Sequence, residues 1–292
     1  MSRSNSNEER TLEIPKDISL PFFTYGIFKP GQLAHSKIKI LIKKDETKNN
    51  VGIKYKMKQR DGVPILIDKE EDYYLTEGSI ITFKEGKEKE AYGIISKTLL
   101  KKLYEWGIVK IDDKEFNVIF GINPDDGSND IEDPEQRVNF DGKNDPLFSD
   151  ALEFIEDNLN SNEFTWEIER LFELQMNYML LWSAIDRYSS IKYNKRKQSW
   201  NNERFAKEKA FKEGIRKFED KKHDPVFSTD DAEIHEFDVE DPQETLKYYY
   251  TFRCNVVHRG KSMPSDYNKL KTATEELLEI FREVLDDAFE MK

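Results

Sequence analysis

The sequence predicts an α+β protein of two domains, a small and mostly β domain followed by an all-α domain of four helices. Three features carry this reading. Between Pro21 and Phe120 the apolar residues fall in short β-branched and aromatic runs punctuated by glycine. From Thr165 onward their period switches to 3.6. Between the two, residues 123–160 crowd aspartate and glutamate together with little to bury. A length of 292 residues agrees with two domains of about 100–200 residues each.

Taken in order, residues 1–20 read as a polar, disordered tail without the apolar core of a secretory signal. Residues 21–122 form the β domain, with strand signals at Phe22–Gly26, Ile38–Ile42, Gly78–Phe83, Ala91–Ile95 and Phe116–Phe120. A short helix is expected over Ser96–Glu105, where Leu99, Leu100 and Leu103 fall at helical spacing behind a serine N-cap. Residues 123–160 read as an acidic linker with a short helix near Leu147–Leu159. In residues 161–292, Leu171, Leu174, Tyr178, Leu181 and Ile185 mark one amphipathic helix, and Phe205, Phe211, Ile215 and Phe218 mark a lysine-rich second. Thr245–Val257 is the third, and Tyr267–Phe289, with Pro264 just before it, is the fourth.

Composition narrows the function. Hydrophobic residues at 37% and aromatics at 12% supply a core, which excludes wholesale disorder. No apolar run approaches the ~18 residues of a membrane span, so no membrane partner is expected. The one cysteine, Cys254, excludes a disulfide framework and a cysteine-rich zinc site, and suits a cytoplasmic protein. A formal charge of -12 argues at first sight against nucleic acid. By region it does not, because the basic residues of 192–222 outnumber the acids there by more than two to one. Lys195, Arg196, Lys197 and Arg204 belong to this stretch, with Tyr193, Trp200 and Phe205 interleaved, a pattern suited to phosphates and stacked bases. Arg259 and Lys261 extend it. The acids of 125–145 are expected to compete with RNA for that basic surface.

The most informative string is Tyr248–Lys261, a helix carrying Arg253 and His258 and stopped by Gly260. A histidine near neutral pKa can take the proton of a ribose 2′-hydroxyl or protonate the leaving 5′-oxygen, and a guanidinium can hold the phosphate bidentately. Neither task needs a cofactor or a metal, and none is expected. At ~100° per residue the two side chains stand roughly 140° apart, so they converge best at a helix end or across a two-fold axis. An ordinary alternative is a histidine and arginine placed favourably at a helix C-terminus. The string Phe252–Lys261, preceded by tyrosines and followed by a long amphipathic helix, resembles the HEPN family of nucleotide-binding and ribonuclease domains, in which Arg-x(4 to 6)-His lies in a helical bundle. The resemblance covers roughly residues 150–292. It implies a homodimer formed through the helical domain, cutting single-stranded RNA without metal to leave a 2′,3′-cyclic phosphate, as many toxins and antiviral defence proteins of the family do. It further implies Asn255 as a polar helper beside Arg253, although Cys254 stands directly after the arginine. Asp186, in Leu180–Tyr188, matches the acidic residue that steers the arginine.

The first domain carries a weaker pattern. Tyr25–Gly26 with Lys29–Gly31, then Gly62–Leu66, Ala91–Ile95 and Leu103–Gly107, resembles the gamma-glutamylcyclotransferase-like fold, a small mixed β-barrel, over residues 20–122. That resemblance implies a ligand loop at Tyr25, Gly26, Ile27 and Phe28 and a general acid/base glutamate. Here only Glu105 can supply the carboxylate, one position early, with Trp106 before Gly107.

The sequence therefore favours a metal-independent endoribonuclease of HEPN type whose first domain is a regulatory or small-molecule-sensing module. Two alternatives stay open: a cyclotransferase using Tyr25, Gly26 and Glu105 with a dimerising helical domain, and a non-catalytic RNA- or nucleotide-binding adaptor.

Overall fold

A computed structural model describes residues 11–60, 63–70, 74–125, 127–130, 137–160, 168–193, 198–228, 232–259 and 264–290. The chain is mixed α+β and divides after Asp145 into two units, Met1–Asp145 and Pro146–Met291.

The first unit contains β1 (Phe22–Thr24), β2 (Lys48–Ile53), β3 (Tyr55–Arg60), β4 (Val63–Glu70), β5 (Leu75–Ile81), α1 (Glu88–Thr98), β6 (Tyr104–Ile111), β7 (Lys114–Gly121), β8 (Asn129–Asp130) and β9 (Arg137–Val138). One sheet runs β2-β5-β1-β7-β6, with β9 added in parallel to β5. The other runs β4-β3-β8. Neither sheet closes on itself among the described residues, so the expected barrel is corrected to two open sheets. Their apolar faces meet in one core that includes Phe23, Tyr25, Met57, Leu66, Val118, Phe120 and Phe140. The β6–β7 hairpin turns on Asp112 and Asp113, both at positive φ, the geometry of a type I′ turn matched to strand twist.

Several local expectations give way to packing. Ala91–Ile95, expected as a strand, lies inside α1, because Ala91, Tyr92, Ile95 and Ser96 form one buried helical face. That helix ends at Thr98, so Tyr104 and Glu105 fall in β6 and not in a helix. Ile38–Ile42 forms 3-10 turns instead of a strand. Its apolar residues do not alternate: Ile38 and Leu41 are buried three apart, and Ile40 is 75% exposed. The expected tail is partly ordered: Thr11 bridges Leu100, and the Glu13 carbonyl accepts from Trp106 Nε1 at 2.7 Å and Ser96 Oγ at 2.9 Å. The acidic segment is also no simple linker. Val138 and Phe140 enter the core of the first unit, and β8 pairs with β3.

The second unit holds α2 (Asp150–Asn160), α3 (Ile168–Tyr193), α4 (Gln198–Phe205), α5 (Lys209–Arg216), β10 (Val226–Phe227), β11 (Ile234–His235), α6 (Pro242–Arg259) and α7 (Pro264–Glu290). The lysine-rich second helix is thus two short ones separated by a turn at Ala206–Glu208. Tyr188, Phe205 and Phe281 pack ring against ring at 5.8–6.2 Å, tying α3, α4 and α7 together. No helix among the described residues is long and apolar enough to cross a membrane.

Candidate functional site

Helices α3 and α6 face each other through aromatic side chains. Tyr178 on α3 donates its hydroxyl to the Tyr249 carbonyl at 2.6 Å and meets the Phe252 ring at 6.2 Å. One turn further along, Trp182 sits edge-on to Tyr250 at 5.2 Å. The Arg253 guanidinium, three residues beyond Tyr250, lies over that ring at 5.5 Å. Its Nε is shielded from solvent and has no hydrogen-bond partner among the described residues. The Tyr250 hydroxyl is pushed to higher pKa, first by burial and then by Cys254; Arg253 acts in the opposite sense and Asp186 in the same one. Asp186 from α3 and Arg253 from α6 therefore both act on one hydroxyl group. The spacing explains this, since Trp182 and Asp186 are one turn apart, as are Tyr250 and Arg253.

Asn255 does not belong to this cluster. It stands 200° around the helix from Arg253, is buried, and donates from Nδ2 to the Phe227 carbonyl at 2.9 Å. With Val226 and Lys269 it lines a separate cavity of about 170 Å³. Its amide holds β10 to α6, so the expected helper role beside Arg253 is corrected. His258 and Arg259 are the last two residues of α6, and their side chains lie outside the described residues, as do Lys195, Arg196, Lys197 and Lys261.

Of the expected RNA surface, Arg204 is exposed on α4 beside the Tyr193 ring at 6.0 Å. Much of the remaining basic charge is answered locally. Lys192 meets Glu208 at 2.9 Å with both side chains largely buried, Lys207 meets Glu203 at 2.6 Å, and Lys217 bridges Glu279 and Glu283. Lys221 meets Glu276 at 3.4 Å. The acids that reach Lys217 and Lys221 belong to α7, and in the first unit Asp125 pairs with Lys58 of β3.

In the first unit the expected ligand loop is filled by protein. The Tyr25 hydroxyl donates to the Ile119 carbonyl at 2.7 Å and accepts from the Leu66 amide at 3.1 Å, and burial pushes its pKa far up. The Lys29 amide donates back to the Gly26 carbonyl at 2.9 Å. Phe28 is buried against Phe22, and Ile27 packs on the core. Gly26 is required by close packing, since a Cβ there would stand 2.7 Å from Pro64 Cγ. The cavity beside these residues measures about 30 Å³, the room of roughly one water. Glu105 is exposed, while its neighbour Tyr104 points to the cavity, so strand alternation turns the carboxylate away from Tyr25. Gly107 lets the Phe120 ring pack against the β6 backbone. The structure thus separates Glu105 from Tyr25, Gly26, Ile27 and Phe28.

Sequence reasoning assigned no role to Tyr250 or Trp182, although both lie in the strings that carried Arg253 and Asp186. The signal was their spacing, Trp182 four residues before Asp186 and Tyr250 three before Arg253. Among the described residues no group of three His, Cys, Asp or Glu side chains is placed to hold a metal ion. Comparison of the chain with protein-family models, curated proteins and solved structures finds no match.

Proposed function

We propose that the helical unit is a metal-independent endoribonuclease of HEPN type acting on single-stranded RNA. The observation that carries this reading is the Arg253 guanidinium, held over the Tyr250 ring with its Nε donor unfilled, while the charge of Asp186 acts on the same tyrosine hydroxyl. A phosphate oxygen would complete that donor and neutralise the charge in one contact. Arg253 then fixes the scissile phosphate and offsets charge on the pentacoordinate transition state, and Asp186 positions Arg253. His258 removes the 2′-hydroxyl proton as the 2′-oxygen bonds to phosphorus. The bond from phosphorus to the 5′-oxygen breaks, and that oxygen takes a proton from a second histidine.

The helix geometry favours a site shared by two copies, because Arg253 and His258 stand roughly 140° apart on one α6. An apolar strip supports self-association as well. Phe154 of α2 and Phe172 and Met176 of α3 are 50–71% exposed around a groove of about 620 Å³ that reaches Val256 of α6. In this proposal the first unit regulates the helical one.

The test is incubation of full-length protein with a single-stranded RNA oligonucleotide in excess EDTA. Cleavage leaving 2′,3′-cyclic phosphate ends, with the 2′-deoxy oligonucleotide intact, is expected. Cleavage of the 2′-deoxy strand, or cleavage abolished by EDTA, would overturn the reading.

A further inference from the structure

A second cavity adjoins the Arg253 cluster and shares one wall with it. It measures about 390 Å³, within the roughly 300–1,000 Å³ typical of small-molecule sites, and lies between α4 and α6. Asn202 and Glu203 line it from α4, and Gln243, Leu246, Lys247 and Tyr250 from α6. Leu246 is buried and supplies an apolar surface. The charged groups are already matched by near neighbours: Glu203 meets Lys207 at 2.6 Å and Lys247 meets Glu244 at 3.4 Å. The cleft therefore offers an anion little uncompensated charge and suits a flat, neutral ligand with polar edges.

We propose that this cleft is a nucleobase subsite of the Arg253 centre, fitted to adenine; the proposal rests on the reading of that centre as an RNA site. The Tyr250 ring is part of the cleft wall and also carries the Arg253 guanidinium at 5.5 Å. A single aromatic side chain thus separates a cation for phosphate from a cavity for a base, as a sugar separates the two in a nucleotide. The exposed Gln243 amide presents both an acceptor and donors, and Asn202 lines the same cleft from α4. Such a group can pair with the donor–acceptor edge of any base, and the choice is made by the Glu203 carboxylate, an acceptor only, which favours the amino group that adenine has and uracil lacks. Tyr250 offers an aromatic surface on which a base can stack.

Nucleoside binding to the full-length protein, followed by calorimetry, tests the subsite independently of any cleavage. Adenosine is expected to bind, and uridine about tenfold more weakly, the effect of one mismatched hydrogen-bonding edge. Gln243→Ala and Asn202→Ala should each weaken adenosine about fivefold or more; Gln243 is exposed, so its replacement leaves the fold intact. Adenosine 5′-monophosphate should bind more tightly than adenosine in the wild type and equally to it in Arg253→Ala. No adenosine binding, equal binding of adenosine and uridine, or binding indifferent to both amide substitutions would overturn the subsite. If RNA is still cut with dependence on Arg253, the nuclease reading survives that result. Adenosine binding as expected but without any gain from the phosphate would instead keep the subsite and remove Arg253 as the phosphate ligand.

Discussion

Arg253 is chemically unusual because a partly buried guanidinium normally fills its donors, and here Nε stays open beside Tyr250. A lysine in its place would keep the charge and lose the planar fork, so Arg253→Lys is expected to slow RNA cleavage by about 100-fold, the effect of one lost transition-state donor. Asp186→Asn should reduce cleavage less, with activity partly restored in Asp186→Glu, as befits a positioning residue. A different residue controls pH behaviour in the first unit. Burial lowers the Lys37 pKa from 10.5 to about 7, and its Nζ has no hydrogen-bond partner among the described residues. In the unfolded chain Lys37 keeps its proton up to its ordinary pKa, so between pH 7 and 10 the unfolded state binds more protons and stability rises with pH. Lys37→Met is expected to stabilise the protein at pH 7 and to flatten this rise in denaturant titrations. At this scale the sequence was partly readable. Arg253 and Asp186 could be singled out from their strings, whereas the fates of Asn255 and Glu105 depended on which face of a helix or strand each one takes.

The helices of the second unit followed the 3.6 period well, because their buried stripes are long enough to average out local noise. The strands of the first unit were harder to read. β2 and β3 are rich in Lys and Asn and carry no continuous apolar run to mark them as strands. Misreading Ala91–Ile95 came from its isoleucines, whose strand preference yields to the buried face of α1. What holds α6 and α7 together was also invisible in the sequence. Glu276 of α7 is 1% exposed, accepts from Tyr249 at 3.0 Å, and contacts His223 Nε2 at 3.0 Å and Lys221 at 3.4 Å. Glu276→Leu leaves the Tyr249 hydroxyl and the His223 ring buried without their acceptor and is expected to cost about 3–5 kcal/mol. Thermal unfolding should show it as a fall of roughly 6 °C or more in Tm, at about 2–4 °C per kcal/mol for a domain of this size. An unchanged Tm would mean that the network contributes nothing.

For the whole molecule, the charge of -12 is not spread evenly over function. The acids of α7 compensate Lys217 and Lys221, which follow α5, and in the proposed reading it is the Arg253 cluster that holds the scissile phosphate. The division into two units lies at Asp145, inside the stretch that composition alone marked as a linker, because two apolar residues among the acids, Val138 and Phe140, suffice to fix it to a core. Self-association belongs to this scale too. Met176→Glu places a charge in the exposed apolar strip, and sedimentation is expected to show a dimer for the wild type and a monomer for the variant, with RNA cleavage lost in parallel. A monomeric wild type that cleaves RNA would remove the shared-site geometry. The central claim, that Arg253 and His258 cut RNA without metal, is tested most directly by the rate of single-stranded RNA cleavage in EDTA for wild type, Arg253→Ala and His258→Ala. The account expects cleavage by the wild type and none by either folded variant, and cleavage that persists in both variants would contradict it.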